Sequence, residues 1–230
     1  MSSTGKLKAI RKLILLKSQE LAPTLGFSPN LFQIAAKETA VSPAIIGHIF
    51  PEGPVALVYH LMESWQEKLN EDAITNEVAK MSTKEKVYYF TKRRMEYIIP
   101  YKDVWKEAMT MGASPSNVFN TTKILWDTWD LILNLSSETP SLQYFAIPQH
   151  LLARAAYGRA YLFTEIYFLT DSPDFSHTWK FLEGQVDSLY QQKSAVNTLL
   201  DISQFTLNAQ YRVLESFYPQ PKFHNNPIVK

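Results

Sequence analysis

Apolar residues recur every three or four positions along almost the whole chain, which is the spacing that places side chains on one face of an α-helix. Strict alternation of apolar and polar residues, which is typical of a strand, is nearly absent. The pattern predicts a first helix over about Leu7–Leu21, closed by Pro23 and Gly26, and a long helix from Val55 to about Lys80.

Serine followed by proline marks two further helix starts, at Ser28–Pro29 and Ser42–Pro43. A serine hydroxyl can cap the first turn of a helix, and a proline in that turn needs no backbone hydrogen bond. Ser82 opens the stretch STKEK, which resembles a capping box. A last helix is predicted over about Leu199–Tyr218.

These elements predict an all-α protein of about nine or ten helices. A small helix-turn-helix module would occupy residues 1–53, and a larger helical domain would occupy residues 54–193. An amphipathic C-terminal helix would follow over residues 194–218, with a flexible tail at residues 219–230.

Composition agrees with this fold class and excludes several kinds of site. The chain has 7 glycines and 13% aromatic residues, which favours helices over a turn-rich β fold. It has no cysteine, so disulfides, zinc-thiolate sites, iron–sulfur clusters and thiol catalysis are excluded. No apolar run approaches the roughly 18 residues that a membrane-spanning helix needs.

Catalytic and metal-binding motifs are also missing from the sequence. There is no glycine-rich phosphate loop, no nucleophile elbow and no pair of helical metal motifs, so we expect neither an enzyme nor a metal protein. Asp171, Asp174 and His177 are spaced by three and could loosely ligate a metal. A helix start explains the carboxylates better, with Asp171 or Ser172 as the cap and Pro173 in the first turn.

The stretch LFQIAAKETAVSPAIIGHIFPEG (Leu31–Gly53) has the form of a DNA-reading helix-turn-helix, but its chemistry does not suit DNA. DNA affinity depends largely on Lys and Arg side chains that neutralise phosphates. The stretch contains one basic residue and two acidic residues. The side chains that its second helix would present are largely apolar, namely Ile45, Ile46 and Ile49. We therefore expect no nucleic-acid partner, and we expect these isoleucines to pack inward or against a protein or lipid partner.

The N-terminus allows two interpretations. Residues 1–19 contain five basic residues and no acid, and KLKAIRKLILLK is amphipathic. This composition overlaps with that of mitochondrial targeting segments. An ordinary first helix with a basic solvent face is the favoured interpretation, both can hold if the segment is not cleaved, and cleavage stays an open question.

The last predicted helix has an unusually wide apolar arc beside a narrow polar strip. Such an arc is typical of a helix that lies in a membrane interface, although a core or subunit-interface helix has the same pattern. The candidate membrane-contact residues are Leu199, Ile202, Leu207, Val213, Leu214 and Phe217.

Aromatic residues are dense in the middle of the chain, and they suit either a plain core or an apolar cavity for a long hydrophobic ligand. We predict a pocket lined by the helices between Met95 and Phe168. The candidate lining residues are Trp105, Met109, Trp129, Tyr157, Tyr161 and Phe168.

Three stretches together resemble a known family: MEYIIPYKDVWKEAM (Met95–Met109), RAAYGRAYLFTEIYFLTDSPDF (Arg154–Phe175) and SPDFSHTWKFLEGQV (Ser172–Val186). The third is the most specific and looks like the signature of the coenzyme Q (ubiquinone) biosynthesis accessory proteins. These are mitochondrial members of the tetracycline-repressor structural superfamily. The similarity spans about Lys12–Ser188.

The resemblance implies a regulator-like fold without DNA binding and without catalysis. It implies a homodimer whose domain at residues 54–193 binds an isoprenoid quinone or phospholipid, and whose last helix contacts the matrix side of the mitochondrial inner membrane as a peripheral protein. The family presents ubiquinone intermediates to a hydroxylase partner. Trp129 and Arg154 match family positions near the partner-facing helices.

A second function stays open beside this one. The segment SSETPSLQYFAIPQHLL (Ser136–Leu152) departs from the family pattern on the approach to Arg154. A divergent member could instead be a structural subunit of an inner-membrane respiratory assembly. A ligand-responsive DNA regulator is a third and weaker reading.

Overall fold

The computed structural model describes residues 3–136 and 147–191, and every regular element in these ranges is helical. The α-helices are α1 (Ser3–Leu25), α2 (Leu31–Glu38), α3 (Ile46–Ile49), α4 (Val55–Asp72), α5 (Asn76–Ala79), α6 (Thr83–Glu96), α7 (Lys102–Gly112), α8 (Val118–Ser136), α9 (Ile147–Thr170) and α10 (Ser176–Gln191). Short 3-10 turns at Pro43–Ile45 and Ile99–Tyr101 precede α3 and α7. The predicted all-α class is confirmed, and the arrangement is consistent with a tetracycline-repressor-like fold.

The predicted C-terminal helix at residues 194–218, the tail at 219–230 and all six candidate membrane-contact residues lie outside the described residues. Met1–Gln192 is one compact unit, in which α1 packs against α2, α4 and α7. Within the described part of the chain, no helix is long and apolar enough to cross a membrane.

Helix α1 is longer than predicted. Pro23, predicted to close it, lies inside its last turn, and the helix continues to Leu25. A proline has no N–H, so the carbonyl of Gln19 loses the partner that it would have four residues later. The hydroxyl of Tyr101 points to that carbonyl, with a long oxygen–oxygen distance of 3.4 Å. The helix ends one turn later at Gly26, whose positive φ of 67° stops it and brings the backbone against Glu107.

The helix-turn-helix region packs onto α1 through its apolar side chains. Ile46 and Ile49 are buried and Ile45 is half-buried, so the prediction that these isoleucines face inward is confirmed. Phe50 stacks on Phe32 with ring centroids 4.1 Å apart. Arg11 lies 4.6 Å above the Phe50 ring, so this base of α1 is used inside the protein.

Of the two predicted serine–proline helix starts, the first is wrong and the second is correct in position only. Helix α2 begins at Leu31 after Asn30, so Ser28 lies too early to cap it. Ser42 occupies the N-cap position of its 3-10 turn, but its side chain accepts no capping hydrogen bond. Ser82, in contrast, forms the complete capping box with Glu85.

The long helix predicted from Val55 to about Lys80 is broken in the structure. It ends at Asp72, and α5 begins only at Asn76. The hydroxyl of Thr75 donates to the carbonyl of Asp72 at 3.1 Å, which competes with helical bonding. The Asp72 carboxylate accepts from Arg93 of α6 and from Tyr97, the residue that follows α6, so the break is held by tertiary contacts.

The edge of the Trp129 ring of α8 lies against the backbone of α9 at Gly158. A Cβ atom placed on Gly158 would lie 2.4 Å from the indole ring, and the ring is buried. The two helices can therefore approach only because residue 158 has no side chain.

We expect Gly158→Ala to lower the free energy of unfolding by about 1–3 kcal/mol, because overpacking a buried contact outweighs the gain in helix propensity. Gly184→Ala is the matched control, since Gly184 lies in α10 with open space around its Cβ position. That change should raise stability by up to about 1 kcal/mol. Urea unfolding of both variants measures the difference, and equal shifts would contradict the packing argument.

The turn between α9 and α10 differs from the predicted helix start. Phe175 adopts a positive φ of 53°, so α10 begins at Ser176 and Pro173 lies in the preceding turn. The Phe175 ring stacks on Phe168 at 4.5 Å, which holds this conformation. Asp171 still serves the helix end, because its carboxylate accepts from the backbone and hydroxyl of Thr178.

These hydrogen bonds also bear on the loose metal site considered for Asp171, Asp174 and His177. Among the described residues, no group of three or more histidine, aspartate or glutamate side chains could hold a metal ion. Burial acts to raise the pKa of Asp171, but the bonds from Thr178 and Ser172 outweigh it and hold the pKa at about 2. Asp171 is therefore a structural acceptor.

We expect the stabilisation from Asp171 to be present above about pH 4 and lost as the pH falls toward 2, since its folded-state pKa lies below the ordinary value of 3.8. Asp171→Asn should lower the melting temperature at pH 7 and flatten its decline between pH 5 and 3. Thermal denaturation followed by circular dichroism measures both. Asp127→Asn, on the exposed face of α8, is the control. A variant with the wild-type acid profile would refute the role.

Candidate functional site

An apolar cavity of about 200 Å³ lies among helices α4, α7, α8 and α9. Most of its wall is carbon, and the lining residues come from all four helices and from the α7–α8 turn. They are Val58, Met62, Trp105, Ala108, Met109, Gly112, Ala113, Val118, Thr121, Thr122, Leu125, Leu162 and Glu165.

Helical spacing brings these residues together. Trp105, Ala108, Met109 and Gly112 follow each other at intervals of three, one and three, so they form one stripe on α7. On α9, the lining pair Leu162 and Glu165 is three residues apart. The cavity is thus the space that four apolar stripes leave between them.

Two of the six predicted pocket residues line this cavity, namely Trp105 and Met109. The other four are buried but lie elsewhere in the interior. Tyr157, Tyr161 and Trp129 form a chain of ring contacts with centroids 6.3 Å apart, and Phe168 stacks on Phe175. Ligand contact by these four residues stays a prediction.

Trp105 connects the cavity to the centre of the protein. Its indole nitrogen donates to Oε1 of Glu165 at 2.8 Å. Its ring lies 5.1 Å from that of Trp65 on α4 and 6.0 Å from that of Phe27. The tryptophan is 2% exposed, so this hydrogen bond is shielded from water.

Arg94 of α6 is fully buried on the other side of Trp65. Its guanidinium carbon lies 4.3 Å above the Trp65 ring centre, which is the geometry of a cation–π contact. None of its three side-chain nitrogens has a hydrogen-bond partner among the described atoms. A buried guanidinium is costly unless an opposite charge balances it.

Glu165 is the buried carboxylate on whose pKa the Arg94 charge acts, although these two side chains of the described chain form no direct ion pair. Burial raises the pKa of Glu165, while the Arg94 charge and the hydrogen bond from Trp105 oppose the rise. Burial also raises the pKa of Tyr161, whose hydroxyl has no partner among the described atoms. The hydroxyl of Tyr157 pairs with Thr91 at 2.7 Å.

Sequence reasoning missed Glu165, Arg94, Val58 and Met62 as parts of this site. One signal was available, because Glu165 is the single acid of α9 and stands in the apolar run YLFTEIYFL. Val58 and Met62 belong to α4, outside the range from Met95 to Phe168 in which the pocket was predicted, and periodicity alone gives no helix partners.

The two predicted partner-contact residues are both engaged within the chain. Arg154 forms an ion pair with Asp130 and lies 5.1 Å from the centre of the Trp126 ring. Trp129 is 7% exposed and packs on Gly158. Contact of either residue with a partner protein stays a prediction.

A larger groove of about 640 Å³ runs between α6 and α10, but its wall is charged. Lys84 and Asp187 form an ion pair there at 2.6 Å, and Lys92, Glu85 and Glu183 also line it. The groove between α4 and α8, of about 520 Å³, is lined largely by acids and amides. The smaller cavity is therefore the one whose chemistry suits a hydrophobic ligand.

The sequence of this chain is similar to those of known proteins. No family model matches the chain. The mitochondrial ubiquinone biosynthesis protein COQ9 of Drosophila melanogaster is 27% identical over 197 residues, which is 81% of this chain and 57% of that protein. The Xenopus tropicalis protein of the same name is 27% identical over 198 residues, covering 81% and 60%.

A probable mitochondrial ubiquinone biosynthesis protein coq9 of Dictyostelium discoideum is 31% identical over 133 residues, covering 56% of this chain and 40% of that protein. The chain thus spans less than two thirds of the length of these curated relatives.

Proposed function

Because the chain is a homologue of the coenzyme Q biosynthesis proteins of the COQ9 family, we propose that it is a non-catalytic, lipid- or quinone-binding protein of mitochondria. It presents hydrophobic intermediates of ubiquinone biosynthesis to a partner hydroxylase at the inner membrane. The relatives are named as mitochondrial proteins of this pathway, and the transfer of that role to this chain is part of the proposal.

The observation that supports this function best is the apolar cavity at Trp105 and Met109. An isoprenoid in contact with its wall gains roughly 25 cal/mol for each Å² of apolar surface removed from water. Immobilising the ligand and the lining side chains offsets part of that gain. The binding energy would therefore come from many carbon contacts, which suits a protein that holds and releases a lipid.

The size of the cavity limits what it encloses. Its volume is about 200 Å³, and an apolar cavity of about 150 Å³ in another protein is large enough for benzene. We infer that the cavity holds one ring or the first part of a chain. The rest of a longer lipid would extend out of the cavity on the side of α7 and α8.

Three further parts of the proposal rest on the family resemblance. The protein would be a homodimer, its last predicted helix would contact the matrix face of the inner membrane, and Trp129 and Arg154 would lie near the hydroxylase. An isoprenoid quinone or a phospholipid would be its bound molecule.

One observation favours the second candidate, a structural subunit of an inner-membrane respiratory assembly. Ligand pockets usually measure about 300–1,000 Å³, and this cavity is smaller. A member that had lost its ligand would keep the helical scaffold and close its pocket to such a size.

We expect organic extraction of the protein purified from its native membranes, followed by mass spectrometry, to recover an isoprenoid or a phospholipid. Ala108→Leu places three carbons at the buried cavity wall and should reduce the recovered amount severalfold. Ala79→Leu at the exposed end of α5 is the control and should leave it unchanged. Recovery of no lipid from the wild type would contradict the carrier function.

Deletion of the gene separates the two candidates, because a carrier affects quinone levels and a subunit affects assembly. We expect ubiquinone to fall on deletion, and native electrophoresis to show the protein apart from large respiratory assemblies. Migration with a megadalton assembly, with quinone unchanged on deletion, would support the structural subunit instead.

A further inference from the structure

The wall of the apolar cavity contains one charged side chain, Glu165. Its Oε1 accepts the hydrogen bond from Trp105, so Oε2 retains its acceptor positions. A second polar group lines the same cavity, since Thr121 contributes a buried hydroxyl without a partner among the described atoms. A purely apolar ligand would give no hydrogen-bond partner to Oε2 of Glu165 or to the Thr121 hydroxyl. An unpaired polar atom is costly where water is excluded.

The charge of Glu165 follows from its surroundings. Arg94 and Glu165 are the two charged side chains among the buried residues of the described chain. An arginine does not lose its proton in a protein, so Arg94 is a permanent cation. The charge of Arg94 and the hydrogen bond from Trp105 both favour the carboxylate form of Glu165, and burial opposes them. As a carboxylate, Glu165 accepts hydrogen bonds and donates none.

We infer that Glu165 is a specificity-determining residue of the cavity, and that it selects hydrophobic ligands bearing a hydroxyl group, such as a phenol or a long-chain alcohol. The hydroxyl donates to Oε2 of Glu165, while the ring or chain contacts Trp105, Met109 and Leu162. This inference rests on the proposed function and narrows its ligand class from quinones and phospholipids in general to hydrophobic molecules that carry a free hydroxyl donor.

The same geometry disfavours two other kinds of ligand. A phosphate or carboxylate head group would meet the negative charge of Glu165, and Arg94 is separated from the cavity wall, to which it contributes no atom. An ether or hydrocarbon gives the carboxylate no donor. A hydroxylated ring precursor fits the cavity end better than an anionic lipid head group does.

Three small probes of similar size test this on the wild-type chain by isothermal titration calorimetry: 4-propylphenol, 4-propyltoluene and 4-propylbenzoate. We expect the phenol to bind at least about tenfold more tightly than the toluene, because a site built around a hydroxyl rejects the analogue that lacks it. The benzoate should bind more weakly than both.

Variants then assign the preference to Glu165. Replacing both charges, in Arg94→Met with Glu165→Leu, avoids leaving either one unpaired in the interior. This double variant should bind 4-propyltoluene more tightly than the wild type does, because the apolar probe no longer leaves a carboxylate unpaired, and its preference for the phenol should fall at least about tenfold. Glu71→Gln on the exposed side of α4 is the control and should keep the wild-type preference.

The outcomes separate the inference from the proposed function. If the wild type binds none of the probes, the cavity is not a ligand site, and both the proposed function and the inference fail. If the phenol and the toluene bind equally, or the benzoate binds most tightly, the cavity remains a site and the role of Glu165 is refuted. Retention of the phenol preference in the double variant would refute that role as well.

Discussion

The hydrogen bond from Trp105 to Glu165 joins the helices around which the rest of the protein is built. It connects α7 to α9 across 60 positions of sequence. The Trp105 ring packs on Trp65 of α4, and Trp65 in turn carries Arg94 of α6 on its face. Four helices thus meet through one indole pair and two buried charges.

This arrangement explains why the apolar cavity has a polar end. Burying Arg94 and Glu165 costs free energy that a core of carbon alone would avoid. The cost is easier to understand if the carboxylate also serves a ligand, because the same group then balances the arginine and recognises a donor. The homologous relatives are named for a pathway whose product is a hydrophobic quinone, which agrees with a cavity of this chemistry.

The helix-turn-helix region is held in place by apolar side chains and by one base of α1. Its short third helix turns Ile46 and Ile49 into the core, and Arg11 of α1 binds Glu52 and the backbone of Ile49. Arg11 is therefore used to hold the region against α1. Glu107 of α7 accepts the backbone N–H of Phe27, which fixes the end of α1 against α7.

The sequence by itself determined the fold class and the approximate number of helices, and it indicated the resemblance to the coenzyme Q biosynthesis proteins, because helical periodicity, the Ser82 capping box and the SPDF stretch are local patterns. It also indicated that Ile46 and Ile49 face inward. Tertiary structure decided the break after Asp72, where Arg93 and Tyr97 hold the carboxylate, and the late start of α10, where Phe168 holds Phe175. It alone decided which helices surround the cavity and that Trp105 of α7 donates to Glu165 of α9. The physical reason is that such contacts join residues far apart in sequence. Periodicity indicates which side of a helix is buried, but it does not identify the element against which that side packs.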